Sequence, residues 1–219
     1  MKNTAKIIGV TRPTSGLSVD DFIAYVARIS NPSNQNNNET ASKLLKYLIK
    51  NKHWSPFEMV HIVMEINTTR DIARQIIRHR SFSFQEFSQR YADPTNDLGF
   101  TPREARLQDI KNRQNSIEVD NEKLQLEWVN KQIEMIAKAT ETYMWAIKNG
   151  IAKEQARAVL PEGLTVSRLY MSGSLRSWIH YCKLRMDIST QKEHREIATD
   201  AWYEITKEFQ SLRDLLFFE

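Results

Sequence analysis

The sequence predicts an α+β fold: a small mixed or antiparallel sheet, many helices and a helical second half. Three observations predict it. Residues 60–69, VHIVMEINTT, set Val60, Ile62, Met64 and Ile66 against His61, Val63, Glu65 and Asn67, the period-two pattern of a strand with one buried face. The next residues, TRDIARQIIRH, return at once to helical spacing. From residue 119 onward most of the chain reads as helix.

The other elements follow in order. AKIIGVTR (5–12) reads as a short first strand. SVDDFIAYVARIS (18–30) is a helix with Ser18 or Asp20 as N-cap and Phe22, Ile23, Val26, Ala27 and Ile29 at helical spacing. NPSNQNNNE (31–39) is a polar loop, and ETASKLLKYLIKNK (39–52) a second amphipathic helix. HWSPFEM (53–59) breaks it, because a proline at 56 drives the preceding residue extended. In the helix after residue 69, Ile72, Ala73, Ile76 and Ile77 form the buried stripe, while Arg74, Gln75 and Arg78 share the other face.

Residues 119–150 predict one long helix stopped by Gly150, with Ile133, Ile136, Ala137, Tyr143, Met144 and Ile147 as core or oligomer contacts. IAKEQARAVLPEG (151–163) predicts a short helix closed at Pro161. LTVSRLYMS (164–172) reads as either a strand or an irregular link. SLRSWIHYCKLRM (174–186) and the segment 190–216 predict two more helices. With no internal repeat and no linker, residues 1–219 read as a single domain.

Composition narrows the function. The chain has 219 residues, 41% hydrophobic and 26% charged, enough for one sizeable core. MKNTAKIIGV lacks the apolar stretch of a signal peptide, and no apolar run approaches a membrane span. Cys182 is the one cysteine, so an internal disulfide framework is excluded and a cytoplasmic, reducing compartment is expected. None of the six glycines forms GxGxxG or a Walker loop. A nucleotide, if bound, is then anchored by side chains, above all arginine.

Arginine usage is uneven. Between His53 and Ile110 there is no lysine, yet arginine occurs at 70, 74, 78, 80, 90, 103 and 106. A solvated face accepts either cation, whereas arginine alone suggests planar, two-pronged contacts to carboxylate or phosphate, or stacking on aromatics. The densest part, RHRSFSFQEFSQRY (78–91), sets its cations among Phe82, Phe84, Phe87 and Tyr91 with Glu86 as sole carboxylate. If SFQEFSQRY is extended, Glu86, Ser88 and Arg90 project on one side, a set that suits a phosphate. An ion-pair network over a packed aromatic core suits the same spacing.

Other chemistries find less support. A nucleic-acid groove predicts clustered lysine as well, so no nucleic-acid partner is expected. The five histidines show no HExxH and no cysteine pair exists, so no metal is expected. His180 and His194 read first as helix-surface or packing residues, and Cys182, on an apolar helix face, as a small buried hydrophobe.

Five segments in order are similar to one family. Arg78-His79-Arg80, followed after seven residues by Ser88, resembles the signature of the flavin-dependent thymidylate synthases. HWSPFEM (53–59), ARQIIRHRSFSFQEFSQRY (73–91), ARAVLPEG (156–163), SLRSWIHYCKLR (174–185) and TQKEHREIA (190–198) extend the resemblance over nearly the whole chain. It implies a homotetramer with sites shared between subunits, converting dUMP to dTMP with methylenetetrahydrofolate as carbon donor, FAD as flavin and NADPH as its reductant. It further implies dUMP contacts from Gln75, Ile76, Ile77, Arg78, Glu86, Phe87, Ser88, Gln89 and Arg90, with Arg157 and Arg185 reaching in from a neighbour. Arg185 takes the catalytic role. FAD contacts are implied for Ser55, Arg78, His79, Arg80, Glu86, Ser174, Leu175, Arg176 and His180, with Ser30 a further candidate. Some family members carry asparagine at the positions of Ser174 and His180, and glycine at that of Gln89.

Overall fold

The computed structural model describes residues 3–213. In chain order the elements are β1 (Thr4–Val10), α1 (Val19–Ala27), α2 (Ala41–Lys50), β2 (His61–Thr69), α3 (Arg70–Ile76), β3 (Ser83–Glu86) and α4 (Pro94–Asp97). There follow β4 (Arg106–Gln108), β5 (Ser116–Glu118), α5 (Glu122–Lys148), α6 (Lys153–Ala156), β6 (Val166–Ser174), α7 (Leu175–Arg185) and α8 (Lys192–Glu208). One-turn 3-10 helices stand at Pro32–Asn34, Ser55–Met59, Arg157–Val159 and Gln210–Leu212.

Four strands form one sheet in the order β1-β2-β6-β3, antiparallel at every pairing. Most of the segment 164–172, read as either strand or link, therefore belongs to β6, which runs through the interior of the sheet. The helical second half thus carries this strand, an alternative that the sequence left open for 164–172. Ile66 lies opposite Leu169, Met64 opposite Met171 and Ile62 opposite Gly173. These side chains share the buried face, on which α1, α2, α3, α7 and α8 contribute Ile23, Leu45, Ile72, Trp178, Ile197 and their neighbours to one core. The opposite face leaves Ile8 and Tyr170 exposed.

Two helices grow directly from the paired strands. Thr69 ends β2 and Arg70 begins α3; Ser174 ends β6 and Leu175 begins α7. Ser174 caps α7 by accepting from the Ser177 amide at 3.3 Å. Because β2 and β6 run antiparallel, α3 and α7 start from opposite ends of the sheet. The long helix begins three residues later than the sequence suggested, since Asn121 caps it by accepting from the Leu124 amide. It stands off the sheet on a small cluster of Tyr143, Ala146 and Ala156. Leu126, Trp128, Ile133, Met135, Met144 and Trp145 on it are exposed. The last three residues of the predicted 190–216 helix lie outside the described residues; within them α8 ends at Glu208.

The hairpin of β4 and β5 falls in a stretch to which the sequence assigned no element. Ion pairs rather than burial hold it: Arg106 to Glu193 at 2.6 Å and Glu118 to Lys192 at 2.6 Å.

Gly173 decides how the arginine-rich turn sits on the sheet. The Phe82 ring, two residues past Arg80, lies over Gly173 and packs edge-on against Trp178 at 4.9 Å and Tyr181 at 5.9 Å. A Cβ on residue 173 would fall 2.4 Å from Phe82 Cδ1. Gly173→Ala should therefore lower unfolding stability by about 1–3 kcal/mol, the usual cost of overpacking a core. Urea denaturation checks this, and an unchanged midpoint would contradict the packing argument.

Candidate active site

Arginines 70, 74, 103 and 106 are neutralised within the chain. Arg74 and Arg70 both reach Glu86, which also accepts from Ser167 Oγ at 2.8 Å. Arg103 holds Asp71 at 2.7 Å and Arg106 holds Glu193. Four of the seven arginines of the lysine-free stretch thus belong to the ion-pair network that the sequence kept open. Two others, and Arg157 further along the chain, behave differently. Arg78 and Arg80 are exposed, and neither they nor Arg157 has a side-chain ion pair or hydrogen bond among the described residues.

Arg78, His79 and Arg80 continue α3 as tight turns, with the Arg78 amide on Gln75 O and the His79 amide on Ile76 O. The extended projection of Glu86, Ser88 and Arg90 is not observed. Pairing of β3 with β6 stops at Glu86, and the Tyr91 and Ala92 amides return to Ser88 O, which curls the loop. Glu86 turns to Arg70 and Arg74, whereas Arg90 meets Glu154 at 3.1 Å. Lys153 Nζ donates to Tyr91 O at 2.9 Å. These two contacts join loop 88–91 to the segment that carries Arg157. Gln89 is 4% exposed, and its amide nitrogen is a buried donor with no partner. A donor so placed favours a ligand acceptor beside Ser88 and Arg90.

The arginine-rich turn also meets the C-terminal end of α7, where Arg185 Nε donates to His79 Nε2 at 2.9 Å. His79 must be neutral to accept. Burial, reinforced by the Arg185 charge, depresses its pKa to about 4. Arg185 is therefore positioned without losing its charge to a carboxylate. Ile76 and Leu175 are fully buried, and the Leu175 amide is bonded to Val60 O at 2.7 Å. These two side chains belong to the core. Ile77 packs against it from the edge. The Phe87 amide bonds to Arg168 O, extending the sheet contact by one residue.

The N-terminal end of α7 faces an open cleft of about 420 Å³ lined by Glu58, His61, Ser81, Ser174, Arg176, Ser177 and His180. Ser81 links it to the arginine-rich turn, and Ser55 is exposed on the neighbouring 3-10 helix. Arg176 Nη1 donates to Glu58 at 2.6 Å. Burial opposes the Glu58 charge, but bonds from Arg176 and Ser174 outweigh it and hold the carboxyl below its usual range. His180 packs edge-on against Trp54 at 4.5 Å, and burial lowers its pKa. Arg176 and Arg185 are nine positions apart on the helix, roughly 13 Å along its axis. The guanidinium, imidazoles, hydroxyls and carboxylate of this cleft fit the polar parts of a large nucleotide cofactor.

Sequence reasoning missed the polar group beneath the turn. His194, fully buried on α8, lies between Gln75 and Tyr181. Only its place four residues beyond Thr190 in a family-like segment marked it. Cys182 is fully buried and its thiol pKa is pushed up by that burial, so it is no nucleophile at neutral pH. Among the described residues no cluster of three or more His, Cys, Asp or Glu is placed to hold a metal ion, and no helix is long and apolar enough to cross a membrane.

Fold and site together define an α+β protein with uncompensated arginines and a polar cleft at the start of α7. Residues 17–209 match the family model described as thymidylate synthase complementing protein. The chain is 48% identical over 215 residues to a probable flavin-dependent thymidylate synthase of Paramecium bursaria Chlorella virus 1, covering 97% of this chain and 98% of the relative. It is 49% identical over 213 residues to the flavin-dependent thymidylate synthase of a Synechocystis strain, covering 94% and 96%. The fold matches crystal structures of a UMP/dUMP methylase, PolB from Streptomyces cacaoi. One, bound with 5-Br UMP, has TM-score 0.78 at 23% identity over 96% of this chain and 93% of that one. The other, bound with 5-Br dUMP, has TM-score 0.77 at 24% identity over 97% and 95%. The chain belongs to the thymidylate synthase complementing protein family, the flavin-dependent thymidylate synthases.

The two low-pKa histidines set the acid response. Burial and the Arg185 charge hold His79 at about 4 and His194 at about 3, both below the usual 6.5. The unfolded chain then binds more protons in that interval, so stability is complete above about pH 6.5 and lost as pH falls toward the folded values. The thermal midpoint should drop between about pH 6.5 and pH 4, and His194→Asn should flatten that drop. An identical slope in the variant would contradict this.

Proposed function

We propose that the chain catalyses reductive methylation of dUMP to dTMP, with methylenetetrahydrofolate as carbon donor, FAD as flavin and NADPH as its reductant. The observation that carries the reading is the division of the arginines: Arg78, Arg80 and Arg157 have no carboxylate partner, and Arg185 is held by a neutral imidazole. Guanidinium groups left without a carboxylate in this way are free to pair with an anionic ligand.

In this reading Ser88, Arg90 and Arg157 hold the dUMP phosphate, with Arg90 exchanging Glu154 for it. Gln75, Arg78, Glu86 and the orphan donor of Gln89 complete the nucleotide side. Arg185 meets the pyrimidine edge and stabilises negative charge as the base is activated. Its bond to His79 fixes the guanidinium through Nε and leaves both Nη groups to act. Ser55, Arg78, His79, Arg80, Ser174, Arg176 and His180 hold the flavin along the α7 cleft, Leu175 supporting the wall from the core. Glu86 serves this side by fixing Arg70 and Arg74. Bound flavin supplies the hydride. No enzyme thiol is required, in keeping with buried Cys182.

The active form is a homotetramer whose neighbouring subunits contribute Arg157 and Arg185. The exposed large apolar residues of α5, with Leu126, Ile133 and Met144 on one face of it, and the uncovered sheet face favour self-association. The proposal extends to one functional domain, residues 1–219, acting in the cytoplasm without a metal, nucleic acid or membrane partner.

Purified protein incubated with FAD, NADPH, methylenetetrahydrofolate and dUMP should form dTMP, and absence of dTMP would overturn the reading. Arg185→Ala should keep the flavin absorbance bands while dTMP formation falls about 100-fold or more, the scale of losing one charge-stabilising donor. Near-normal dTMP formation by that variant would remove Arg185 from catalysis.

A further inference from the structure

His194 lies in the gap between α3, α7 and α8 with Gln75, Tyr181, His79 and Arg185 around it. Its Nδ1 is 3.2 Å from Gln75 Oε1 and its Nε2 is 3.1 Å from Tyr181 Oη. Gln75 Nε2 donates to Gln191 Oε1 at 2.8 Å, and Gln191 Nε2 donates to Glu193 Oε2 at 3.0 Å. Glu193 is held in turn by Arg106.

The direction of every bond in this chain follows from its acidic end. An ionised carboxylate only accepts, so Gln191 must turn its amide nitrogen to Glu193 and its oxygen to Gln75. Gln75 must then donate to Gln191 and turn its own oxygen to His194. A carbonyl oxygen only accepts, so His194 Nδ1 carries the proton. Its Nε2 is left as acceptor, and the Tyr181 hydroxyl donates to it. Burial raises the Tyr181 phenol well above its usual range and keeps that proton in place. One N–H of the Gln75 amide is left over, in fixed orientation.

We propose that His194 is a positioning residue that locks Gln75 as a hydrogen-bond donor toward an acceptor oxygen of the bound pyrimidine nucleotide. This role rests on the reading that Gln75 faces dUMP. Without the proton on His194 Nδ1, the Gln75 oxygen loses its donor, and the amide is held from the Gln191 side alone, so its remaining N–H is no longer fixed toward the acceptor. The Arg106–Glu193 pair, outside the nucleotide site, therefore sets the polarity of a group inside it.

Two polar replacements separate positioning from packing. His194→Asn keeps a donor near Nδ1, whereas His194→Gln places its amide near Nε2 and loses that donor. Calorimetric titration of the flavin-loaded enzyme with dUMP should show His194→Asn within about twofold of the parent and His194→Gln about tenfold weaker, with flavin spectra unchanged. In a Gln75→Leu background, His194→Gln should cost nothing further. Parent-like binding by His194→Gln, equal loss in both variants, or additive loss in the double variant would each overturn the role. Failure of the parent enzyme to bind dUMP would overturn the functional reading, and this role with it.

Discussion

The hydrogen bond from Arg185 to His79 ties the arginine-rich turn to the end of α7, and it exists only while the imidazole is uncharged. Two cations cannot share such a contact, and burial with the Arg185 charge keeps His79 neutral down to about pH 4. That burial is built from below. Gly173 lets Phe82 lie flat on β6, Phe82 packs on Trp178 and Tyr181, and Tyr181 meets the His79 ring edge-on at 4.9 Å. Trp178 is fixed by donating its indole N–H to Ile62 O at 3.2 Å. A glycine in a central strand thus supports the aromatic packing under which His79 is half-buried.

The second constraint is charge balance. Seven arginines in a lysine-free stretch would repel one another unless carboxylates were interleaved. The fold brings them in from afar: Glu162 approaches Arg70, Glu193 pairs with Arg106 and Glu154 with Arg90. Glu86 lies against both Arg70 and Arg74 and so anchors the network from inside the stretch. Arg78, Arg80 and Arg157 are left out of this balance. Arg80 adjoins Ser81, which lines the α7 cleft, and Arg157 follows Lys153 and Glu154, which hold the loop of Ser88 and Gln89. One residue type is thus ion-paired within the fold at some positions and left without a partner at neighbouring ones.

Much of the fold was legible because it is periodic. β2 and α3 announce themselves by a change of period at residue 69, and the buried positions Ile62, Met64, Ile66, Ile72, Ala73 and Ile76 are those the pattern selects. β6 was ambiguous because Ser167 interrupts its apolar alternation. Its burial is tolerated by a bond to Glu86, a partner 81 positions away that no local pattern reveals. The β4–β5 hairpin was missed because ion pairs to α8, not a buried face, hold it. The site was legible as a set of residue types, through the family resemblance. Which arginines are neutralised was not, since the deciding carboxylates sit 60 or more positions away in three of the pairs. His194 read as a packing residue because its value depends on the direction of a hydrogen-bond chain.

The central claim is that arginines from two chains converge on one nucleotide, Arg90 by giving up its carboxylate partner. Crystallography of the assembled oligomer with dUMP and FAD bound tests it most directly. The account predicts Arg90 and Arg157 from two chains within hydrogen-bonding distance of one phosphate, with Arg185 at the pyrimidine edge. A nucleotide bound elsewhere, with Arg90 still paired to Glu154 and Arg157 and Arg185 in solvent, would contradict it.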